Sequence, residues 1–258
     1  MNTALVTGGS GSIGFAISDQ LASDGFDVIL LGRSADPLDS VKSKLQAEHP
    51  GRSITVEICD VRHPHAVREL FESLTSRDIE LDILVNCAGI SGGGYTAEIS
   101  DELWDDVIAT NLNGTFYVIR DLLRFSRMGE GGRIINIAST GGKQGVIHAV
   151  PYSASKHGVV GLTKALGLEL ARNGSGITVN AVCPGFVESD MAERVREHYA
   201  SIWGTTVDEA RRRIEERVPL GRYIAPDEVA AMVSYLASPR AAGVTAQALN
   251  VCGGLGNY

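Results

Sequence analysis

Apolar positions along the chain fall into short β-rich runs separated by longer stretches with helical spacing. Seven runs read as strands, at 4–7, 27–31, 53–58, 82–86, 133–138, 177–182 and 246–251. Between them, spacings such as Ile13, Ile17 and Leu21 place apolar side chains on one face of a helix. Runs that are apolar at successive positions, Ile29-Leu30-Leu31 and Ile134-Ile135, suit strands covered on both faces. The predicted fold is therefore α/β, a Rossmann-type doubly wound parallel sheet of about seven strands with helices on both faces. Such a sheet binds ligands outside the carboxyl ends of its strands, where strand order reverses.

One interval breaks the alternation. Residues 188–222 separate the sixth predicted strand from a helix starting near Pro226, and 191–199 and 207–218 are amphipathic. An insertion at a strand's carboxyl end predicts a helical lid over the site, with an extra surface helix pair as the plainer alternative. No repeat, low-complexity tract or linker divides the chain, so one domain over 1–258 is expected.

A net charge of -8 argues against nucleic acid as a partner, since such binding needs Lys and Arg to displace counterions. No apolar run approaches a bilayer's thickness, and MNTALVTGG lacks a basic stretch followed by a long apolar one. A cytoplasmic protein with no membrane partner is expected. Cys59, Cys87, Cys183 and Cys252 are widely spaced without a C-x-x-C pair, which predicts buried free thiols and no metal site.

The octet TGGSGSIG at 7–14 lies between the first predicted strand and the first helix, where glycines let the backbone approach a pyrophosphate. Gly8, Gly11 and Gly14 would shape this loop, and Ser10 and Ser12 can add hydroxyl donors to phosphate. The second strand ends in Leu30-Leu31-Gly32-Arg33-Ser34. A free ribose 2′-hydroxyl is usually met there by an acid, whereas a 2′-phosphate needs a cation, so Arg33 predicts NADPH/NADP+. An ordinary exposed arginine is the alternative. Asp60, ending the third strand, could accept from the adenine amino group.

Three stretches read together: Thr110-Asn111-Leu112, Ile137-Ala138-Ser139-Thr140 and Tyr152-Ser153-Ala154-Ser155-Lys156. Tyr152 and Lys156 share a helix face, and Ser139 precedes them at a strand end. With these residues in order after the glycine loop, the chain resembles the compact branch of the short-chain dehydrogenases/reductases over essentially its full length. The resemblance implies that Tyr152 is the general acid and that Ser139 holds the substrate carbonyl. It implies that Lys156 binds the nicotinamide ribose and tunes Tyr152, and that Asn111 supports a water linking Lys156 to solvent. Carbonyl reduction places negative charge on oxygen, which calls for a proton donor and aimed hydrogen bonds. A tyrosine with a pKa of about 10 is a sluggish acid–base group at neutral pH unless a nearby Lys⁺ stabilises tyrosinate.

Further cofactor contacts implied by the resemblance are Ile13, Val61, Asn86, Ala88 and Gly89, then Pro184 and Gly185 beside the nicotinamide, with Val187 and Ser189 at its carboxamide. Cys87 departs from the family's Asn-Asn-Ala-Gly turn, where the second Asn usually supports the sheet. The octet also resembles the T-G-x-x-G-x-x-G loop of extended relatives acting on nucleotide sugars. Those need a C-terminal substrate domain, for which the residues up to VCGGLGNY leave no room. In the compact reading Ser12 replaces a glycine as the first helical residue, and Gly11 keeps the turn permissive.

Longer stretches, STGGKQGVIHAVPYSASKHGVVGLTKALGLELAR, NAVCPGFVES, VREHYASIW and VTAQALNVCGGLGNY, resemble ketoreductases of aromatic (type II) polyketide synthases. That implies NADPH-dependent reduction of one ketone, commonly C9, of a poly-β-ketone on an acyl carrier protein. It also implies a homotetramer packed through the helices near 101–127 and 152–172. Ser91, Gly92, Gly93, Gln144 and Val146 would meet the substrate, and Ser91 stands where many relatives carry proline, removing a rigid φ beside the site. Tyr199 and Trp203 could pack on a substrate ring or serve as core of the lid. Arg211, Arg212, Arg213 and Arg217 could meet the acidic carrier or form a salt-bridged face with Glu209, Glu215 and Glu216. Two other enzymes of this fold stay open, a fatty-acid 3-oxoacyl-carrier-protein reductase and a small-molecule alcohol dehydrogenase, both expected to have a narrower cleft. A non-catalytic NADPH-binding protein would show a damaged catalytic set.

Overall fold

The computed structural model describes residues 3–125 and 127–256. Its first half runs β1 (Thr3–Thr7), α1 (Ser12–Ser23), β2 (Asp27–Gly32), α2 (Ala35–Glu48), β3 (Ile54–Ile58), α3 (Pro64–Ser76) and β4 (Leu81–Asn86). The second half runs α4 (Asp101–Ile108), α5 (Gly114–Arg124), β5 (Met128–Ile137), α6 (Val150–Arg172) and β6 (Thr178–Pro184). It ends with α7 (Asp190–Trp203), α8 (Val207–Glu215), α9 (Pro226–Ala237) and β7 (Ala248–Val251). The strands form one sheet in the order β3-β2-β1-β4-β5-β6-β7, every neighbouring pair parallel. Strand order reverses between β1 and β4, so the octet after β1 and the turn after β4 open onto the same crevice.

Alternation along each strand feeds two cores. Val6, Leu30 and Val85 pack on one face with Ile17 and Leu21 of α1 and Val229 and Val233 of α9. Leu5, Ile29 and Leu84 pack on the other with Phe71 of α3 and Val118 and Leu122 of α5. Burial on both sides explains the successive apolar positions of the central strands, Leu5-Val6, Ile29-Leu30-Leu31 and Leu84-Val85.

Strand limits agree with the sequence reading to within two residues except for β5. There the glycine-rich Gly129–Gly132 tract, outside the expected run, extends the strand back to Met128. Leu81 pairs with Met128 and Ile83 with Arg133, so the extra residues are absorbed as an irregularity in register. β7 begins later than expected because Ala246 takes a φ of 59°. Among the described residues no helix is long and apolar enough to cross a membrane. The four cysteines are free, and Cys87 is half-buried rather than buried.

A buried polar chain joins the sheet to α6. Asn86 Nδ2 donates to Asn136 Oδ1 (2.9 Å), Asn136 Nδ2 donates to Thr163 Oγ1 (2.9 Å), and Thr163 donates to the Val159 carbonyl (2.7 Å). Asn136 and Thr163 are fully buried, so each link stands in for water that cannot reach it. Thr163→Val keeps the shape but leaves Asn136 Nδ2 without an acceptor, and is expected to cost about 1–3 kcal/mol. Urea denaturation measures this, and an unchanged midpoint would remove the chain's role in holding α6.

Candidate active site

A cleft of about 710 Å³ runs along the carboxyl ends of the strands, within the range of small-molecule sites. One end lies at Arg33 and the other beneath α7, with Ser139, Tyr152 and Lys156 between them.

The octet forms the floor of the first end. Gly8 has φ +68°, and a Cβ there would stand 2.9 Å from the backbone nitrogen of Ala88. A Cβ on Gly14 would fall 2.2 Å from the Gly8 carbonyl oxygen. Both positions therefore demand glycine. Gly11 does not: its φ is -80°, so the permissive conformation expected at Gly11 belongs to Gly8. Ser12 is the first helical residue, as expected. No side chain caps α1 and no acid lies in its first turn, so its leading N–H groups and positive dipole end meet the cleft unneutralised. Ser10, Ser12 and Ile13 line the wall.

Arg33 is exposed and, among the described residues, has no hydrogen bond or ion pair. Asp60 and Val61 line the same end, but the Asp60 carboxylate already accepts from Arg62 through Nε (3.0 Å) and Nη2 (2.8 Å). Burial pushes the Asp60 carboxyl up, and these hydrogen bonds outweigh it and hold it below its ordinary value. Ala88 and Gly89 reach the wall. Asn86, expected at the cofactor, lies behind it, because its amide is committed to Asn136 in the core. The Cys87 departure is absorbed by the backbone: Cys87 N and Ala88 N both donate to Thr7 Oγ1 at 3.0 Å, which needs no side chain at 87.

In the middle of the cleft, Ser139 follows the end of β5, where its Oγ accepts from Gly141 N (3.0 Å) beside Tyr152. The Lys156 ammonium, one turn beyond Tyr152 on α6, donates to the Ile137 carbonyl (2.8 Å) and lies 5.8 Å from the Tyr152 ring centre. Asn111 sits in a π-helical turn, Ala109–Asn113, that interrupts the passage from α4 to α5. Its amide is held by both backbone groups of Ile90 and by Ser155 Oγ. A Cβ on Gly89 would stand 3.2 Å from Asn111 Oδ1 and 3.5 Å from Lys156 Nζ, which measures how closely these groups converge.

Burial sets the electrostatics. It pushes Tyr152 above the usual phenol value, against the opposing hydrogen bond from Ser139. It also pulls Lys156 down from 10.5 to about 8. Desolvation, and not the expected lysine cation, therefore sets the direction of the Tyr152 shift in the protein alone.

Beyond β6, Pro184, Gly185 and Val187 line the wall. The Ser189 hydroxyl, expected at a carboxamide, donates to the Val187 carbonyl and caps α7 by accepting from Ala192 N, both at 3.2 Å. α7 and α8 fill the 188–222 interval. Tyr199 is buried, lines the cleft and donates to the Ile147 carbonyl (3.3 Å). Trp203, expected at the substrate, stands outside the wall because it stacks on the far side of Tyr199 at 4.7 Å. Ser91, Gly92, Gly93, Gln144 and Val146 line the opposite side. The arginines of α8 form a salt-bridged face: Arg211 with Glu215 (2.9 Å), Arg212 with Glu209 (2.7 Å) and Arg213 with Glu209 (2.9 Å). Arg217 instead reaches the cleft, as do His148 and His198, which the sequence reading missed. Only the place of His148 four residues before Tyr152 could have marked it.

The fold and this arrangement define a dinucleotide-dependent oxidoreductase class in which a tyrosine and a serine address one oxygen. A sequence profile of the short chain dehydrogenases matches residues 2–200. A protein of Streptomyces violaceoruber named as ketoacyl reductase 1 of the granaticin polyketide synthase is 59% identical over 257 residues, covering 99% of this chain and 93% of that one. A protein of Streptomyces coelicolor named as a ketoacyl reductase is 56% identical over 260 residues, covering 99% and 97%. A crystal structure of a point variant of actinorhodin polyketide ketoreductase with NADPH matches with a TM-score of 0.93 at 54% identity, covering 100% of this chain and 98% of that one. The chain belongs to the short-chain dehydrogenase family.

The depressed Lys156 value makes a pH prediction with a definite sign. Between about 8 and 10.5 the unfolded chain binds a proton that the folded protein does not, so this group's contribution to stability rises with pH across that window. The stability of the native protein relative to Lys156→Met should therefore rise by on the order of 3 kcal/mol between those limits. Denaturation curves at several pH values test this, and a difference independent of pH would contradict it.

Proposed function

We propose that the chain is an NADPH-dependent ketoreductase that reduces one ketone, at C9, of an aromatic poly-β-ketone bound to an acyl carrier protein. In this reading 1–258 is one reductase domain, 188–222 is its lid, and the enzyme works as a homotetramer. The observation that carries the proposal is the placement of Ser139, Tyr152, Lys156 and Asn111 midway along a cleft, with Arg33, unpaired among the described residues, at one end and a helical roof at the other.

The residues present fit the cofactor. The Gly8 and Gly14 cradle has no room for a Cβ, its helix N-terminus is uncapped, and among the described residues Arg33 has no competing carboxylate. The octet and Asp60 would hold the adenosine and pyrophosphate half, and Lys156 with Pro184, Gly185 and Val187 the nicotinamide half. When bound, NADPH supplies the hydride for the carbonyl carbon.

The chain's own residues handle the oxygen. Ser139 and Tyr152 donate hydrogen bonds to it, and Tyr152 releases its proton as negative charge develops there. A raised phenol pKa suits this direction, because the proton stays on Tyr152 until the oxygen becomes basic enough to take it. Lys156, near 8, can carry or yield a proton at working pH, and its bond to Ile137 fixes where it does so. Asn111 positions the 90 loop and Ser155 beneath this pair. For assembly, support comes from Trp104, Phe116 and Leu168, exposed apolar residues on α4, α5 and α6.

The test is turnover of a bulky bicyclic ketone against a short linear β-ketoacyl thioester, with NADPH. The bicyclic ketone is expected to be preferred, and Tyr152→Phe to lower its turnover by about 10²-fold or more with cofactor affinity retained. Equal or better use of the linear thioester would count against the polyketide assignment. Separately, Arg33→Asp is expected to remove most of the preference for NADPH over NADH, since it replaces the fork by a carboxylate that repels a 2′-phosphate. An unchanged preference in steady-state kinetics would disprove that role.

A further inference from the structure

We propose that the strained turn at Ile147 and His148 is a specificity-determining positioning element, holding the lid with one carbonyl and the 91–94 loop with the next. The proposal rests on the ketoreductase reading above and assigns to this turn the width of the substrate end of the cleft.

Three non-glycine residues have a left-handed φ among the described residues, and of these only His148, at 58°, lines the cleft. A bulky L-residue takes that conformation at a cost, so something around it must hold it there. Two hydrogen bonds do. The Ile147 carbonyl accepts from Tyr199 Oη on α7 at 3.3 Å, and the His148 carbonyl accepts from Gly94 N at 2.8 Å. The left-handed φ at His148 turns the second peptide relative to the first, so that successive carbonyls face opposite walls. With an ordinary negative φ, one of the two bonds would be lost.

A separate observation shows how tightly the second wall is pressed on. A Cβ on Gly93 would fall 1.9 Å from the His148 carbonyl oxygen and 2.9 Å from Ala149 Cα, so the two backbones touch and exclude any side chain. The His148 ring adds an edge-on contact with Tyr95, at 4.8 Å between centres. The Ile147 side chain is 73% exposed, which leaves its carbonyl as its tie to the lid. The bond to Gly94 is short and the bond to Tyr199 long, so the turn stays with the 91–94 loop and releases the lid first. α6 begins at Val150, and Tyr152 follows within a turn, so the spacing of both walls is referred to the catalytic helix.

The experiment compares a bicyclic ketone with a small acyclic one, both with NADPH, in His148→Asn, His148→Val, Tyr199→Phe and the Tyr199→Phe, His148→Val pair. Asn tolerates the left-handed region and a β-branched residue does not. His148→Val is expected to raise KM for the bicyclic ketone about tenfold with kcat changed less than about threefold, and to leave KM for the acyclic ketone near native. His148→Asn should stay close to the native KM for both. In the Tyr199→Phe background the Val substitution should add less than it does alone, because the same bond is already gone. Thermal melts confirm folding. Should His148→Val fail to fold, Gly93→Ala wedges the same contact from the other side, and it is expected to give the same selective rise in KM. Equal behaviour of Asn and Val, an equal loss for both ketones, or additive effects in the pair would overturn the proposal. A native chain that reduces neither ketone would instead overturn the ketoreductase reading, before any variant is made.

Discussion

The bond from the Lys156 ammonium to the Ile137 carbonyl is the constraint around which the site is arranged. An ammonium buried in the protein loses hydration, and in return Lys156 gains one backbone acceptor at the end of β5, 2.8 Å away. That bond fixes α6 against the sheet at the point where Ser139 leaves β5, which brings Tyr152 to Ser139. Deeper in the core Thr163 attaches α6 to the same strand through Asn136, and Asn86 carries the chain on to β4. The helix is thus held by polar links at the catalytic turn and by the apolar contacts of Val159 and Leu170 elsewhere. Polar groups in a core specify one arrangement, because any other leaves them unsatisfied.

The site accumulates local penalties that the rest of the fold outweighs. Lys156 and Tyr152 are both shifted toward their neutral forms by burial. Asn111 occupies a π-helical turn and His148 a left-handed one. Gly8 and Gly14 forgo side chains in a loop packed against Ala88. None of these choices favours stability, and all of them face the cleft or brace what does, as expected where function is carried by a destabilised region on a rigid scaffold. The doubly packed central strands supply that scaffold.

The sequence was most informative where one physical rule acts alone. Burial on both faces made Ile29-Leu30-Leu31 and Ile134-Ile135 legible as parallel strands, and helical spacing put Tyr152 and Lys156 on one face. The glycine loop was legible because a missing side chain has few other uses between a strand and a helix. It was less legible in detail: the sequence shows that a glycine is needed but not which one carries the positive φ, and that turned out to be Gly8. Groups with two possible uses were harder to place. The Asn86 amide is spent on Asn136, a distant partner that no local pattern encodes, whereas the Trp203 ring stacks on Tyr199 one turn earlier and the Ser189 hydroxyl caps α7 from the wall of the cleft. The β5 extension was hidden because Gly129–Gly132 carries no apolar run, and only the pairing of Met128 with Leu81 of β4 marks where the strand starts. His148 was hidden because a left-handed φ outside glycine leaves no mark in sequence.

The 188–222 segment shows how the two kinds of interaction divide the work. Ala192, Tyr199, Ala210, Ile214 and Tyr223 form a small core of its own, and Glu188 at its root pairs with Arg196 (2.7 Å) and Arg211 (3.0 Å). Arg211 is largely exposed, so its pair with Glu188 contributes little stability, and the apolar cluster holds α7 to α8. The segment enters and leaves at one place, where Glu188 N donates to the Ile224 carbonyl and Ile224 N donates to that of Phe186. With paired ends and an internal core the segment keeps its own packing, and in the lid reading proposed above it swings as a unit about that pairing while α6 and β5 stay in place.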